Sequence, residues 1–160
     1  GKNYTPPTGS GSADSIPGGK NPQVAQMYQY LISKYGLTPA QAAGILGNIQ
    51  VESGFKTDAF NPNEGAIGLC QWLGGRRRNL ERFAAAQGKS VYDWKVQMDF
   101  MMHELRTGES GAYARLRGAA TPAAAAAVFD QYYERSSGEA RGQRIANANG
   151  IAAAMRNVSA

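Results

Sequence analysis

At 160 residues the chain is long enough for one domain with a proper core and too short for two comfortable ones. Its composition is ordinary globular, and no apolar run approaches the roughly 20 residues that cross a membrane. The formal charge of +5 suits an anionic partner, nucleic acid or acidic wall polymer, and the single cysteine, Cys70, excludes an intrachain disulfide.

Residues 1–20 are rich in Gly, Ser and Pro without apolar periodicity. They predict a flexible leader or linker, a tether by which the globular part joins other subunits or domains of a larger assembly. Residues 21–160 then form a single domain. No signal-peptide pattern opens the chain, so work outside a cytoplasm needs another carrier or a signal beyond this fragment.

Asn21-Pro22 predicts a capped first helix, with Val24, Met27, Leu31 and Tyr35 inward, joined by Tyr28 and Ile32, and Gly36 as its stop. Thr38-Pro39 with Gln41 is a second helix start, in which the hydroxyl and the glutamine cap each other's backbone. Ala42, Ile45, Ile49 and Glu52 follow at alternating three- and four-residue steps, so they share one face. Ser53 and Gly54 end the helix. A carboxylate on an apolar stripe is seldom there for stability, since desolvation favours a protonated carboxyl. A buried acid that keeps its proton near neutrality is what a general acid for glycoside cleavage needs.

Between Glu52 and Trp72 the helical period vanishes. Asp58, Asn61-Pro62-Asn63, Gly65 and Gly68 are turn residues, interleaved with Phe55, Phe60, Ile67 and Leu69. This predicts an irregular loop with a short two- or three-stranded hairpin, lying across the helix end to form a cleft. Gly68 permits close backbone approach. Gln71 offers a donor and an acceptor, either to a sugar or to pin the hairpin. Cys70, inside an apolar run, reads as a buried structural thiol.

Arg76-Arg77-Arg78 opens a third helix with Leu80, Phe83 and Ala84 inward and Gly88 at its end. Such a run is a solvated helix start, a grip for acidic peptide stems, or a nucleic-acid patch, although cations oppose the dipole there. Ser90 is expected to cap a long helix with Trp94, Met98, Met101 and Leu105 buried. His103 has no second ligand at metal-binding spacing, so neither a metal nor a cofactor is expected. A short helix around Tyr113–Leu116 follows. Thr121-Pro122 starts an alanine helix running into Phe129-Asp130-Gln131-Tyr132-Tyr133-Glu134-Arg135. A last helix, about 140–156, turns Ile145, Ala148, Ile151 and Met155 inward.

Glu52-Ser53-Gly54-Phe55, the asparagine-bearing turn, and Gly65-Ala66-Ile67-Gly68-Leu69-Cys70-Gln71-Trp72 together resemble the lysozyme-like superfamily. The likeness is greatest to phage-tail lysozyme domains, relatives of goose-type lysozymes and soluble lytic transglycosylases. Gly74-Gly75-Arg76-Arg77 and Tyr133-Glu134-Arg135 extend it, so that it spans roughly residues 38–135. Cys70 departs from the pattern, standing where methionine or alanine is usual.

The resemblance implies a mainly α (α+β), two-lobed lysozyme-like fold of six or seven helices with a small β-hairpin lobe. It implies peptidoglycan as substrate, cut at the β-1,4 bond between N-acetylmuramic acid and N-acetylglucosamine, with Glu52 as catalytic acid. Ser53, Gly68, Gln71, Trp72 and Tyr133 would border the substrate. Gln71 and Tyr133 would hold N-acetyl groups, and Trp72 either stacks on a sugar or packs behind the hairpin. A hydrolase would also need a second carboxylate, for which Asp58, Glu64 and Glu134 are candidates; a lytic transglycosylase would not. The expected setting is a phage tail or another delivery device reaching the periplasm and cell wall, with no nucleic acid bound and no membrane insertion. The competing classes are a non-catalytic peptidoglycan-binding module and a basic, helical nucleic-acid-binding domain.

Overall fold

A computed structural model describes residues 22–159, with side chains described from 24 to 156. The proposed linker and the Asn21 cap lie outside the described residues. Within them the order is α1 (Pro22–Tyr35), α2 (Pro39–Ser53), β1 (Phe60–Asn61), β2 (Ala66–Ile67), α3 (Gly74–Ala86), α4 (Trp94–Arg106), α5 (Ser110–Arg117), α6 (Pro122–Val128), a π-helical turn (Phe129–Glu134) and α7 (Arg141–Ser159). The fold is mainly α with a small β-hairpin, as expected.

The second helix is the centre. Its start is a capping box: Thr38 Oγ1 accepts from Gln41 N at 3.1 Å, and Gln41 Oε1 accepts from Thr38 N at 3.0 Å. Its end is a left-handed Gly54 that donates to the Gln50 carbonyl. Every residue from Gln41 to Ser53 is buried, so the single apolar face predicted from spacing is replaced by burial all round.

Two glycines explain that. A Cβ on Gly44 would stand 2.4 Å from the Ala125 methyl of α6, and one on Gly47 would stand 2.6 Å from the Arg144 carbonyl of α7. Bare backbone there lets α6 and α7 approach closely. The approach of α7 carries Arg144 over the last turns of α2.

The two strands are antiparallel, with Phe60 opposite Ile67 and Asn61 opposite Ala66, and a further bridge joins Ile67 to Trp72. Gln97 of α4, fully buried, anchors this lobe. Its Oε1 accepts from Leu69 N at 2.9 Å, while Nε2 donates to the carbonyls of Thr57 (2.9 Å) and Val91 (2.8 Å).

Three details differ from the sequence reading. The cap of α4 is Asp93, which accepts from Lys95 and Val96 N, while Ser90 accepts from Tyr92 N one turn earlier. The alanine helix stops at Val128 and continues as a π-helical turn. In α7 the buried stripe is Arg144, Ala148, Ile151 and Met155, and Ile145 is only half-buried.

Candidate active site

Glu52 occupies the last turn of α2, where the chain leaves for the hairpin lobe, and is 3% exposed. It does not lie alone on an apolar surface. Arg144 Nη2 stands 2.7 Å from Glu52 Oε2, and Arg144 Nη1 donates to Asn48 Oδ1 at 2.9 Å, one turn back on the same helix. Behind the guanidinium, its Nε is 3.3 Å from Asp130 Oδ1. Asp130, itself fully buried, also accepts from Arg141 Nε at 2.9 Å and from the Ser136 hydroxyl. The result is a buried row of alternating charge, Glu52–Arg144–Asp130–Arg141, running from α2 through α7 to the π-turn.

A second carboxyl belongs to this network. Glu134 ends the π-turn, and its Oε2 is buried without a hydrogen-bond partner. Its carboxyl is held well above the ordinary carboxylate range, by burial first and by the negative charge of Glu52 second, with Arg144 and Arg76 opposing. Of the three candidate second acids, Asp58 and Glu64 are exposed in the loop, and Glu64 only accepts from Asn61 at 3.2 Å. The π-turn brings Glu134 into the electrostatic reach of Glu52.

The remaining expected site residues frame the lobe. Ser53 donates to the Ile49 carbonyl at 3.1 Å. Gly68, at φ +82°, makes room for the Gln97 amide; a Cβ there would lie 2.9 Å from its Oε1. Gln71 Nε2 donates to the carbonyls of Ala59 (3.1 Å) and Gly68 (3.0 Å), pinning the hairpin, while its Oε1 is buried and unpartnered.

Trp72 and Tyr133 are 2% and 0% exposed. The Trp72 indole N–H is shared between Glu104 and the Tyr133 hydroxyl, each at 3.0 Å, and that hydroxyl donates to Glu104. Both rings are buried: Trp72 packs behind the hairpin, one of the two roles expected of it, and Tyr133 stacks on Phe129 with ring centroids 4.5 Å apart instead of facing solvent where a sugar would lie.

Glu104 and Arg76, missed as site residues from sequence, complete that layer. Arg76 donates through Nε and Nη2 to the two oxygens of Glu104, each at 2.9 Å, and lies over the Tyr133 ring. Of the three-arginine run, Arg76 is thus structural, Arg77 pairs with Glu81 and donates to the Gly65 carbonyl, and Arg78 is exposed. Cys70 is buried, and burial pushes its thiol up. A cavity of about 470 Å³ is lined by Arg76, Arg82, Phe83, Phe100, His103 and Glu104 among others, and by neither Glu52 nor Glu134.

Positive-φ backbone follows both Glu52 and Glu134 in the chain. Three residues other than glycine have positive φ among those described: Phe55 just beyond Glu52, Gln71 on the hairpin, and Arg135 just beyond Glu134. Such backbone costs about 1–3 kcal/mol per residue and clusters at functional sites.

The sequence matches the family model of phage tail lysozymes over residues 23–155. The chain belongs to the phage tail lysozyme family. A comparison with curated proteins gave no significant match. Membership points to a lysozyme-like, peptidoglycan-degrading, glycan-cleaving enzyme associated with a virion. No helix among the described residues is long and apolar enough to cross a membrane.

Proposed function

We propose that this chain cuts the β-1,4 bond between N-acetylmuramic acid and N-acetylglucosamine in peptidoglycan, with Glu52 as the general acid. The observation that carries the reading is the carboxyl in the last turn of α2, 3% exposed where the chain leaves for the hairpin lobe. Glu52 protonates the glycosidic oxygen, and the electrons of the breaking C–O bond remain on that oxygen as the sugar takes on oxocarbenium character. The buried, unpartnered Oε1 of Gln71 is an acceptor suited to the N–H of an N-acetyl group.

Asp58 and Glu64 lie exposed on the loop, which argues against either as a base held in place for water. That leaves Glu134 as the candidate base for hydrolysis, beside the transglycosylase route, in which the sugar's own 6-hydroxyl attacks and Glu52 takes back the proton. The delivery setting is a phage tail, in which residues 1–20 link the domain to neighbouring parts of the device.

A second reading rests on the Glu52–Arg144 ion pair, which ties up the carboxyl as it would in a non-catalytic peptidoglycan-binding module. Mass spectrometry of purified peptidoglycan after digestion separates the readings. Anhydro-muramic ends mean transglycosylation, new reducing ends mean hydrolysis, and intact glycan with protein bound to it means binding alone.

A further inference from the structure

The cavity of about 470 Å³ lies between two helices: α3 contributes Arg76, Arg82 and Phe83, and α4 contributes Phe100, His103 and Glu104. Its volume falls among those of small-ligand sites, roughly 300–1,000 Å³. Neither Glu52 nor Glu134 lines it, so it is a separate feature from the candidate active site.

The charges around it are not equivalent. Arg76 is held by both oxygens of Glu104, each at 2.9 Å, and Glu109 is held by Arg135 at 2.6 Å. Arg82 has no carboxylate partner among the described residues. Its Nη1 donates to Asn79 Oδ1 at 3.0 Å, which steadies the guanidinium and leaves its other N–H groups unclaimed. Rings line the same cavity. The Phe83 centroid is 5.4 Å from Phe100 and 5.5 Å from His103, with Phe83 half-buried and His103 exposed. A guanidinium fork matches the plane of a carboxylate, and the rings suit an aliphatic body beside it. Two carboxylates, Glu104 and Glu109, also line the cavity and would repel a polyphosphate, so a single carboxylate on a short, partly apolar chain is the better fit.

We propose that this cavity receives a carboxylate of the short acidic peptides carried by the glycan strand, with Arg82 as its ionic partner and Phe83 and His103 against its aliphatic portion. The inference rests on the reading of peptidoglycan as the substrate. The run Arg76–Arg78 offers such stems a grip in sequence, but folding commits Arg76 to Glu104 and Arg77 to Glu81, and the role passes to Arg82. The cavity is also tied to the hairpin, because the Glu104 that lines it accepts from Trp72 and Tyr133.

His103 is the chain's single histidine, so its imidazole is one resolved reporter in the cavity wall. The probe is a synthetic tetrapeptide of alanine, γ-linked D-glutamate, lysine and D-alanine. It is titrated at constant pH and low salt into wild type, Arg82→Ala and Arg78→Ala, with the His103 ring protons followed by NMR. The same peptide amidated at its carboxylates, and inorganic phosphate, are the comparison ligands. Arg82 is exposed, so its truncation leaves the core intact, and Arg78 is an exposed arginine of the same helix outside the cavity. A saturable His103 shift is expected with a Kd on the order of 1 mM, about 10-fold or more weaker in Arg82→Ala and for the amidated peptide, and unchanged in Arg78→Ala. An unmoved His103 at ~10 mM peptide overturns the assignment. So does an equal shift from the amidated peptide or from phosphate, or a Kd unaffected by Arg82→Ala. Muropeptide release measured on the same wild-type protein keeps the two readings apart. Cleavage with an unmoved His103 removes this site and leaves the cutting activity, whereas a carboxylate-dependent shift without cleavage keeps the site and removes the activity.

Discussion

Arg144 and Glu52 meet at 2.7 Å with both side chains almost fully buried, one from α7 and the other from the last turn of α2. The pair exists because Gly47 lets the α7 backbone come close, and because Asn48 and Asp130 take the other edges of the guanidinium. Removing one partner of a buried pair exposes the desolvation penalty of the other.

Arg144→Met should therefore destabilise the fold by about 3–5 kcal/mol near neutral pH, toward the lower end because Asp130 keeps Arg141. Urea unfolding at neutral pH measures the effect.

Glu134 gives a pH dependence whose sign follows from its raised carboxyl. Its folded value lies well above the ordinary 4.5, so the native state keeps a proton that the unfolded chain has released. Below the unfolded value both states are protonated and the group contributes no difference. As pH rises through the window above it, the unfolded state binds fewer protons and stability falls. Glu134→Gln removes that slope. It should match wild type near about pH 4 and exceed it at about pH 7, read as urea midpoints.

Gly47→Ala tests the close approach itself. Helix propensity favours alanine by about 1 kcal/mol, but the new methyl would meet the backbone of Arg144 and Ala148, at 2.6 and 2.7 Å, which cannot swing aside. A net loss of about 1–2 kcal/mol is expected, with activity falling as Arg144 and Glu52 shift.

Trp72→Phe separates packing from sugar contact. The variant leaves Glu104 and Tyr133 without the indole donor and should cost about 1–3 kcal/mol, measured by thermal or urea unfolding. The KM for glycan should stay near wild type, because the ring does not reach solvent.

What the sequence carried well was local. The Thr38-Pro39-Gln41 and Thr121-Pro122 caps are where the signature puts them, and Glu52 is buried at the end of its helix. What it hid was long-range. Arg144 occupies the inward stripe of α7, but an arginine in an amphipathic pattern is ordinarily taken as solvent-facing, so Ile145 was the expected inward residue. Its partners are 92 and 14 residues away and leave no spacing to detect. The π-turn breaks the 3.6-residue period on which face assignment depends, so the directions of Asp130, Tyr133 and Glu134 were not legible. The Arg76–Glu104 pair likewise joins two helices with no local signal.

The central claim is tested most directly by soluble muropeptides released from purified peptidoglycan, quantified by mass spectrometry for wild type and Glu52→Gln at equal concentration, with thermal unfolding run alongside. The expected result is abundant release by wild type, a fall of ~100-fold or more in the variant, and little change in unfolding temperature. Undiminished release by a folded Glu52→Gln protein would contradict the account.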